Sequence, residues 1–229
     1  MRRTVTAATA LALVAGAAMW FVTGAVAQGG GTIEADVKYS GAAQVEKLKV
    51  NKDTEKCGTE ALIEKVVVGG NKGLANAVVS VPAAKGTTKT KAVIDQHGCK
   101  FVPHVVVMQP GEIEIKNSDD ILHNIHTYST ANPSINKAQP KFKKTMTEKL
   151  DKPEFVKMTC DVHSWMLGWV AVVPGLAGVT DKDGVTKIEN VPAGKQKIEV
   201  WHETLGKQEK EVDVKAGQVT KVSFEMKGK

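Results

Sequence analysis

Residues 154–173 read EFVKMTCDVHSWMLGWVAVV. Before the heptapeptide CDVHSWM, the apolar side chains fall on alternate positions, so Val156, Met158 and Cys160 share one face of an extended chain. After it, LGWVAVV resumes as a second strand. The stretch therefore reads strand, tight loop, strand, which is the grammar of an all-β fold. Within the loop stand Cys160, His163 and Met166, each with a lone pair to offer a soft metal ion.

Upstream lies GEIEIKNSDDILHNIH, residues 111–126, where Ile113 and Ile115 mark one face of a strand and a polar turn then delivers His123 and Asn124. One distant histidine with a tight Cys, His, Met loop is the donor set a mononuclear copper electron-transfer centre requires. Two imidazoles and a thiolate form a near-trigonal plane, with a thioether as a long axial ligand. Sequence distance is no obstacle, because neighbouring strands of a sandwich bring remote segments side by side. Three alternatives compete. The seven residues could hold a buried Cys, a core Met and a surface His. A zinc site would prefer a closed Cys and His set, for which Met is a poor ligand. A binuclear copper centre would need a second cysteine in the loop, and haem attachment would need Cys-x-x-Cys-His; neither pattern occurs.

NSDDILHNIH followed by Cys-x2-His-x2-Met resembles the cupredoxins, and among them the amicyanin kind, whose ligand loop is equally short; plastocyanin-like members have a longer interval before the methionine. The resemblance covers residues 101–173. It implies a Greek-key sandwich binding one type 1 copper, with His123, Cys160, His163 and Met166 as ligands and Asn124 bracing the cysteine loop. It also implies that His163 reaches the surface within an apolar patch, with Trp165, Leu167 and Trp169 nearby. Val162 and Ser164 stand where amicyanins have prolines, and Trp165 replaces a phenylalanine; no ligand is lost. His126, three residues after His123, turns to the opposite face of a continuous strand and is expected to be packed or hydrogen-bonded. His97 and His104 are expected to be structural or exposed, and His202 to lie at the surface.

The flanks have another texture. From about Lys91 to Pro174 the chain holds five of its six histidines and two of its three cysteines. On either side, GTIEADVKYSG, GLANAVVSVP and the stretch GVTDKDGVTKIENVPAGKQKIEV contain short alternating strands and hairpin turns such as DKDG. These resemble the carboxypeptidase regulatory-like, transthyretin-like β-sandwich, which implies an outer domain of residues 28–88 and 175–229 with the cupredoxin domain, 89–174, inserted in it. Tandem domains are the alternative arrangement. One helix is expected within Asp53–Lys65, from its cap and good helix formers. With Cys160 assigned to the metal, Cys57 and Cys99 remain. A disulfide between them follows for an oxidising compartment, with two buried thiols as the alternative.

Residues 1–27 carry Arg2, Arg3, a long apolar run, and Ala25 and Ala27 at signal-peptidase spacing. Export to a periplasm or cell surface is expected, with membrane attachment only if this leader stays uncut. The chain of 229 residues has a formal charge of +6. Lys137, Lys141, Lys143 and Lys144 cluster in NKAQPKFKK, suited to steering an acidic redox partner or simply a solvated loop. No nucleic acid is expected as a partner. No nucleophile triad, paired carboxylates or phosphate loop marks an enzyme. The expectation is one-electron transfer with a protein partner; the alternatives are copper carriage or storage, or a cell-surface binding module.

Overall fold

The computed structural model describes residues 29–86 and 92–228; the expected leader lies outside the described residues. The chain is all-β: the described residues form eighteen strands in five sheets, one short α-helix and one 3-10 turn. None of the described helices is long and apolar enough to cross a membrane.

The central region folds as a sandwich. One sheet contains β10 (Asn136–Gln139), β9 (His123–Tyr128), β12 (Glu154–Thr159), β13 (Leu167–Val172) and β7 (Val105–Met108), in that order. The facing sheet contains β11 (Thr145–Leu150), β8 (Gly111–Asn117), β5 (Val93–His97) and β6 (Lys100–Val102). Alternation decides what each strand buries. Ile125, Val156, Met158, Val170 and Val172 from the first sheet meet Ile94, Ile113, Ile115 and Leu150 from the second in one core. A polar cross-piece runs through it: Gln96 donates to Gln139, and Asn117 donates to the Gln139 and Ile121 carbonyls.

The outer sandwich joins β1 (Gly31–Tyr39), flanked by β15 (Val185–Val191) and β18 (Val219–Met226), to a sheet of β14 (Leu176–Val179), β4 (Val78–Val81), β16 (Gly194–His202) and β17 (Gly206–Val214). Its core gathers Ile33, Val37, Val79, Val81, Ile198, Val200 and Phe224. β4 precedes the central region and β14 follows it, yet the two pair antiparallel with Leu176 opposite Val81. The chain thus leaves and re-enters the outer sandwich at adjacent positions.

The period of two also builds the junction. Val79 points into the outer core while Val78 points out; Val170 points into the central core while Trp169 and Ala171 point out. The outward sets meet, with Phe155 stacked on Trp201 at 4.2 Å and Trp169 edge-on to Trp201 at 5.2 Å. Aromatic pairs of this kind each add about 0.5–1.5 kcal/mol beyond area burial. His104 and the Trp169 indole both bond to Glu203. His202 is 1% exposed, which overturns the expected surface role: as the last residue of β16 its ring faces inward, and Nδ1 accepts the Thr204 N–H.

The helix expected within Asp53–Lys65 is confined to α1 (Thr54–Cys57). Gly58, at φ 78°, ends it, and Glu60–Val66 is instead strand β3, paired with β2 (Gln44–Lys49). The sequence assigns residues 28–88 whole to the outer domain. In the structure, Val50 and Ala61 are buried in the central core and Leu48, Cys57 and Ile63 pack against it. The Cys57–Cys99 disulfide tethers the segment there, with a Cα separation of 5.5 Å.

Candidate metal centre

β9 and β12 are adjacent and antiparallel, with Thr159 opposite His126. That pairing sets His123, the first residue of β9, beside Cys160, which follows β12. The loop then turns back through the Met166 N–H to His163 carbonyl bond. Three donor atoms converge. Cys160 Sγ lies 3.9 Å from His123 Nδ1 and 3.7 Å from His163 Nδ1, and the two Nδ1 atoms are 3.0 Å apart. His123 and His163 are 0% exposed and Cys160 is 1% exposed. Met166 is buried in the same core as Cys160.

The remaining nitrogen of each imidazole meets a carboxylate. His123 Nε2 is 3.0 Å from Asp119 Oδ2, and His163 Nε2 is 2.8 Å from Asp53 Oδ2. An ionised carboxylate only accepts, so each Nε2 carries the proton and each Nδ1 presents a lone pair. Two lone pairs 3.0 Å apart beside a sulfur repel one another, and a cation between them reverses the sign. Bonds of about 2.0 Å to imidazole and about 2.3 Å to thiolate place trigonal donors about 3.5–3.7 Å apart. The two sulfur–nitrogen separations, 3.9 and 3.7 Å, match the upper figure, and the two nitrogens lie closer than the lower one at 3.0 Å, a spacing that two bonds of about 2.0 Å still span, so the residues can hold a metal ion. Carboxylate, histidine and metal in series is the usual way a protein fixes a ligating ring.

Each carboxylate is itself positioned. Asp119 accepts the Gly98 and Cys99 N–H groups at 2.9 Å each. Those amides are available because Gly98 (φ 60°) and Cys99 (φ 56°) form the two-residue turn between β5 and β6, with both residues left-handed as a type I′ hairpin demands. Burial pushes the Asp119 carboxyl up, but the two amides and the His123 ring outweigh it and hold it below the ordinary range. Asn117 fixes the backbone of the same residue by accepting the Asp119 N–H at 3.1 Å. Burial pulls the His123 imidazole down despite Asp119, favouring the neutral, ligating form. Burial also pushes the Cys160 thiol up, against the opposing pull of the Asn124, His163 and Val162 amides. A bound cation would reverse that balance and take the thiol as thiolate.

Asn124 spans the centre from outside. Its N–H lies 3.5 Å from Cys160 Sγ, its Oδ1 accepts the Asp161 N–H at 2.5 Å, and its Nδ2 donates to Asn136 and Asp161. His126 points to the other face of β9, where it stacks on Tyr128 and bonds to Asp161. A second cluster, Cys99, Asp119 and His123, also has metal-ligating side chains close together. Cys99 is committed to its disulfide, so this set lacks a thiolate.

The expected surface exposure of His163 is overturned. The segment leading into α1 lies over the ring, and Asp53 takes its outer nitrogen. Nor do the tryptophans form an exposed patch around it: Trp165 is buried and donates to the Cys99 carbonyl, and Trp169 belongs to the junction. Sequence reading missed Asp53 and Asp119. Asp119 stands four residues before His123, a spacing that could have drawn attention within the polar turn; nothing local distinguishes Asp53.

No family model matches the chain, and a search of curated proteins finds no match. Among solved structures, it is similar to a copper-containing nitrite reductase from Thermus scotoductus, at 19% identity over 39% of this chain and 24% of that one, with a TM-score of 0.33. A purple cupredoxin from Nitrosopumilus maritimus matches at 19% identity over 36% of this chain and 99% of its own, with a TM-score of 0.31. Amicyanin from Paracoccus versutus matches at 15% identity over 41% and 96%, with a TM-score of 0.31.

Proposed function

We propose that the protein is an exported mononuclear copper protein of the type 1 kind that passes single electrons to or from a protein partner and is not itself an enzyme. The observation that carries the reading is the convergence of Cys160 Sγ and two imidazole Nδ1 atoms within 3.9 Å in a buried pocket, each ring aimed by its own carboxylate. Bound copper would supply reversible cycling between its two oxidation states. Thiolate suits the reduced ion and imidazole the oxidised one, so the set serves both. Met166, buried in the same core, would add a soft thioether to the residues that hold the ion.

The chain's own contribution is rigidity. His123 and Cys160 stand at the ends of paired strands, and Asn124 ties one end to the other, so the donors need not move as charge changes. Enclosure favours electron transfer over copper carriage, since handing a metal to another protein needs an accessible ligand and both histidines are fully covered. A redox partner needs only proximity. Leu122, next to His123, is 43% exposed, and the exposed Phe142 stands between Lys141 and Lys143. Each is an exposed apolar side chain, and the lysines beside Phe142 add positive charge of the kind that steers an acidic protein into brief contact. A disulfide in the fold agrees with an oxidising compartment such as the periplasm. The reading keeps the outer sandwich as a carboxypeptidase regulatory-like module, although the Asp181–Gly184 turn, closed by the Gly184 N–H on the Asp181 carbonyl, carries the chain from β14 in one sheet to β15 in the other instead of forming the hairpin expected from DKDG.

Adding Cu(II) to the metal-free protein tests this. One equivalent should produce an intense thiolate-to-copper absorption in the visible, bleached by a mild reductant and restored by an oxidant. Cys160→Ser should abolish it. Full colour in that variant would refute the ligand assignment.

A further inference from the structure

The loop imidazole is held by a segment remote in sequence, and that segment is bonded to the turn that holds the other imidazole. Asp53 accepts from His163 Nε2 at 2.8 Å, mirroring Asp119 on His123. Asp53 occupies the N-cap position of α1, where an Asp ordinarily turns its carboxylate onto the helix's own amides. Here it makes no such cap bond. Its backbone is left-handed at φ 48°, its carbonyl accepts the Cys57 N–H at 2.8 Å, and its side chain goes to His163. Cys57 is disulfide-bonded to Cys99. The Cys99 N–H donates to Asp119, and the Cys99 carbonyl accepts from Trp165, two residues beyond His163. The contacts close a ring: His163, Asp53, Cys57, Cys99, Asp119, His123.

We propose that Asp53 is a positioning residue of the metal centre and that the Cys57–Cys99 disulfide is the strap that keeps it there. Three residues separate Asp53 from Cys57, and the single helical turn of α1 transmits the anchor with little slack. Without the strap, a segment with few buried side chains of its own would lift from the loop. His163 would then be free to turn its Nδ1 out of the donor plane. The disulfide thereby serves both imidazoles, fixing Asp53 on one side and the amide that orients Asp119 on the other. This rests on the copper reading for its purpose, though not for its geometry.

The experiment has two arms, both on the full mature chain. In the first, the rate of Cu(I) loss to excess bathocuproine is measured for wild type, Asp53→Ala, the Cys57→Ser/Cys99→Ser pair and Glu55→Ala. Removing a carboxylate behind a ligating histidine costs about 10–100-fold in metal affinity. Asp53→Ala should accelerate loss by that order, the serine pair should accelerate it at least as much because it also loosens the Cys99 amide under Asp119, and adding Asp53→Ala to the serine pair should accelerate it no further, as groups acting in series do. Glu55→Ala removes the same charge from α1, where no contact to the site exists, and should behave as wild type. Loss from Asp53→Ala within twofold of wild type would overturn the proposal.

The second arm uses metal-free protein and does not depend on copper. Nitrogen-detected NMR should find His163 locked as the Nε2–H tautomer in wild type and averaging between tautomers in Asp53→Ala. An averaged ring in wild type would overturn the positioning role even if copper binds. A locked ring in a wild-type protein that fails to take copper would sustain the positioning role of Asp53 and sink the copper reading alone.

Discussion

His202 makes stability at the junction depend on pH in a window that the structure defines. The ring is 1% exposed, its Nδ1 accepts the Thr204 N–H, and burial pulls its pKa down to about 4, with His104 adding to the effect and Glu203 opposing it. In the unfolded chain the same ring titrates near 6.5. The folded form therefore binds fewer protons than the unfolded form between these values. Stability is full above about pH 6.5 and drains as pH falls toward 4. For these two pKa values the loss relative to neutral pH is about 2 kcal/mol at pH 5 and approaches about 3 kcal/mol below pH 4. Urea unfolding followed by tryptophan fluorescence reports on this directly, because Trp169 and Trp201 sit in the same junction. The comparison is between wild type and His202→Gln, at pH 7 and pH 5. The variant starts lower but should lose about 2 kcal/mol less between the two pH values. Equal losses in both proteins would refute the linkage, and with it the claim that His202 is held neutral by burial.

Glu154 gives a second acid limb, at lower pH. Its carboxylate gathers Ser129, the Thr130 N–H and hydroxyl, the Ala131 N–H and Asn132, and although partial burial raises its pKa these bonds bring it down to about 2. The stability it confers is complete above about pH 4.5 and is lost as pH falls toward 2, so Glu154→Gln should cost about 1–3 kcal/mol at pH 7 and flatten that limb in acid unfolding curves. Asn124→Ala should leave the Asp161 N–H without its 2.5 Å partner. Copper affinity should fall by about 10–100-fold in a chelator competition while the near-ultraviolet circular dichroism of the metal-free fold stays unchanged.

The sequence discloses the fold class because inward and outward side chains alternate so regularly: Ile33, Ala35 and Val37 in β1, Val156 and Met158 in β12. Strands that bury little are harder to see. β17, GKQEKEVDV, is an edge strand with mostly solvent-facing residues, and β10, NKAQ, buries one side chain; neither has a hydrophobic period. The donor set is legible for a chemical reason: Cys, His and Met are scarce, so three of them in seven residues stand out. The carboxylates behind the rings carry no such mark. Asp53 is one acidic residue in a polar stretch, and its role appears only when the Cys57–Cys99 bond holds residues 48–63 against the central core. The same fold explains why His163 is covered. A short loop predicts what it can ligate, but what lies on top of it is decided by a segment more than 100 residues away in sequence. His202 was obscured in another way, since a polar residue at a strand end reads as exposed until a second sandwich is packed against it.

X-ray absorption at the copper edge of the loaded protein tests the central claim most directly. The account predicts one short sulfur scatterer with two imidazole nitrogens in both oxidation states, the sulfur vanishing in Cys160→Ser. A shell of nitrogen and oxygen alone, or one indifferent to that substitution, would contradict it.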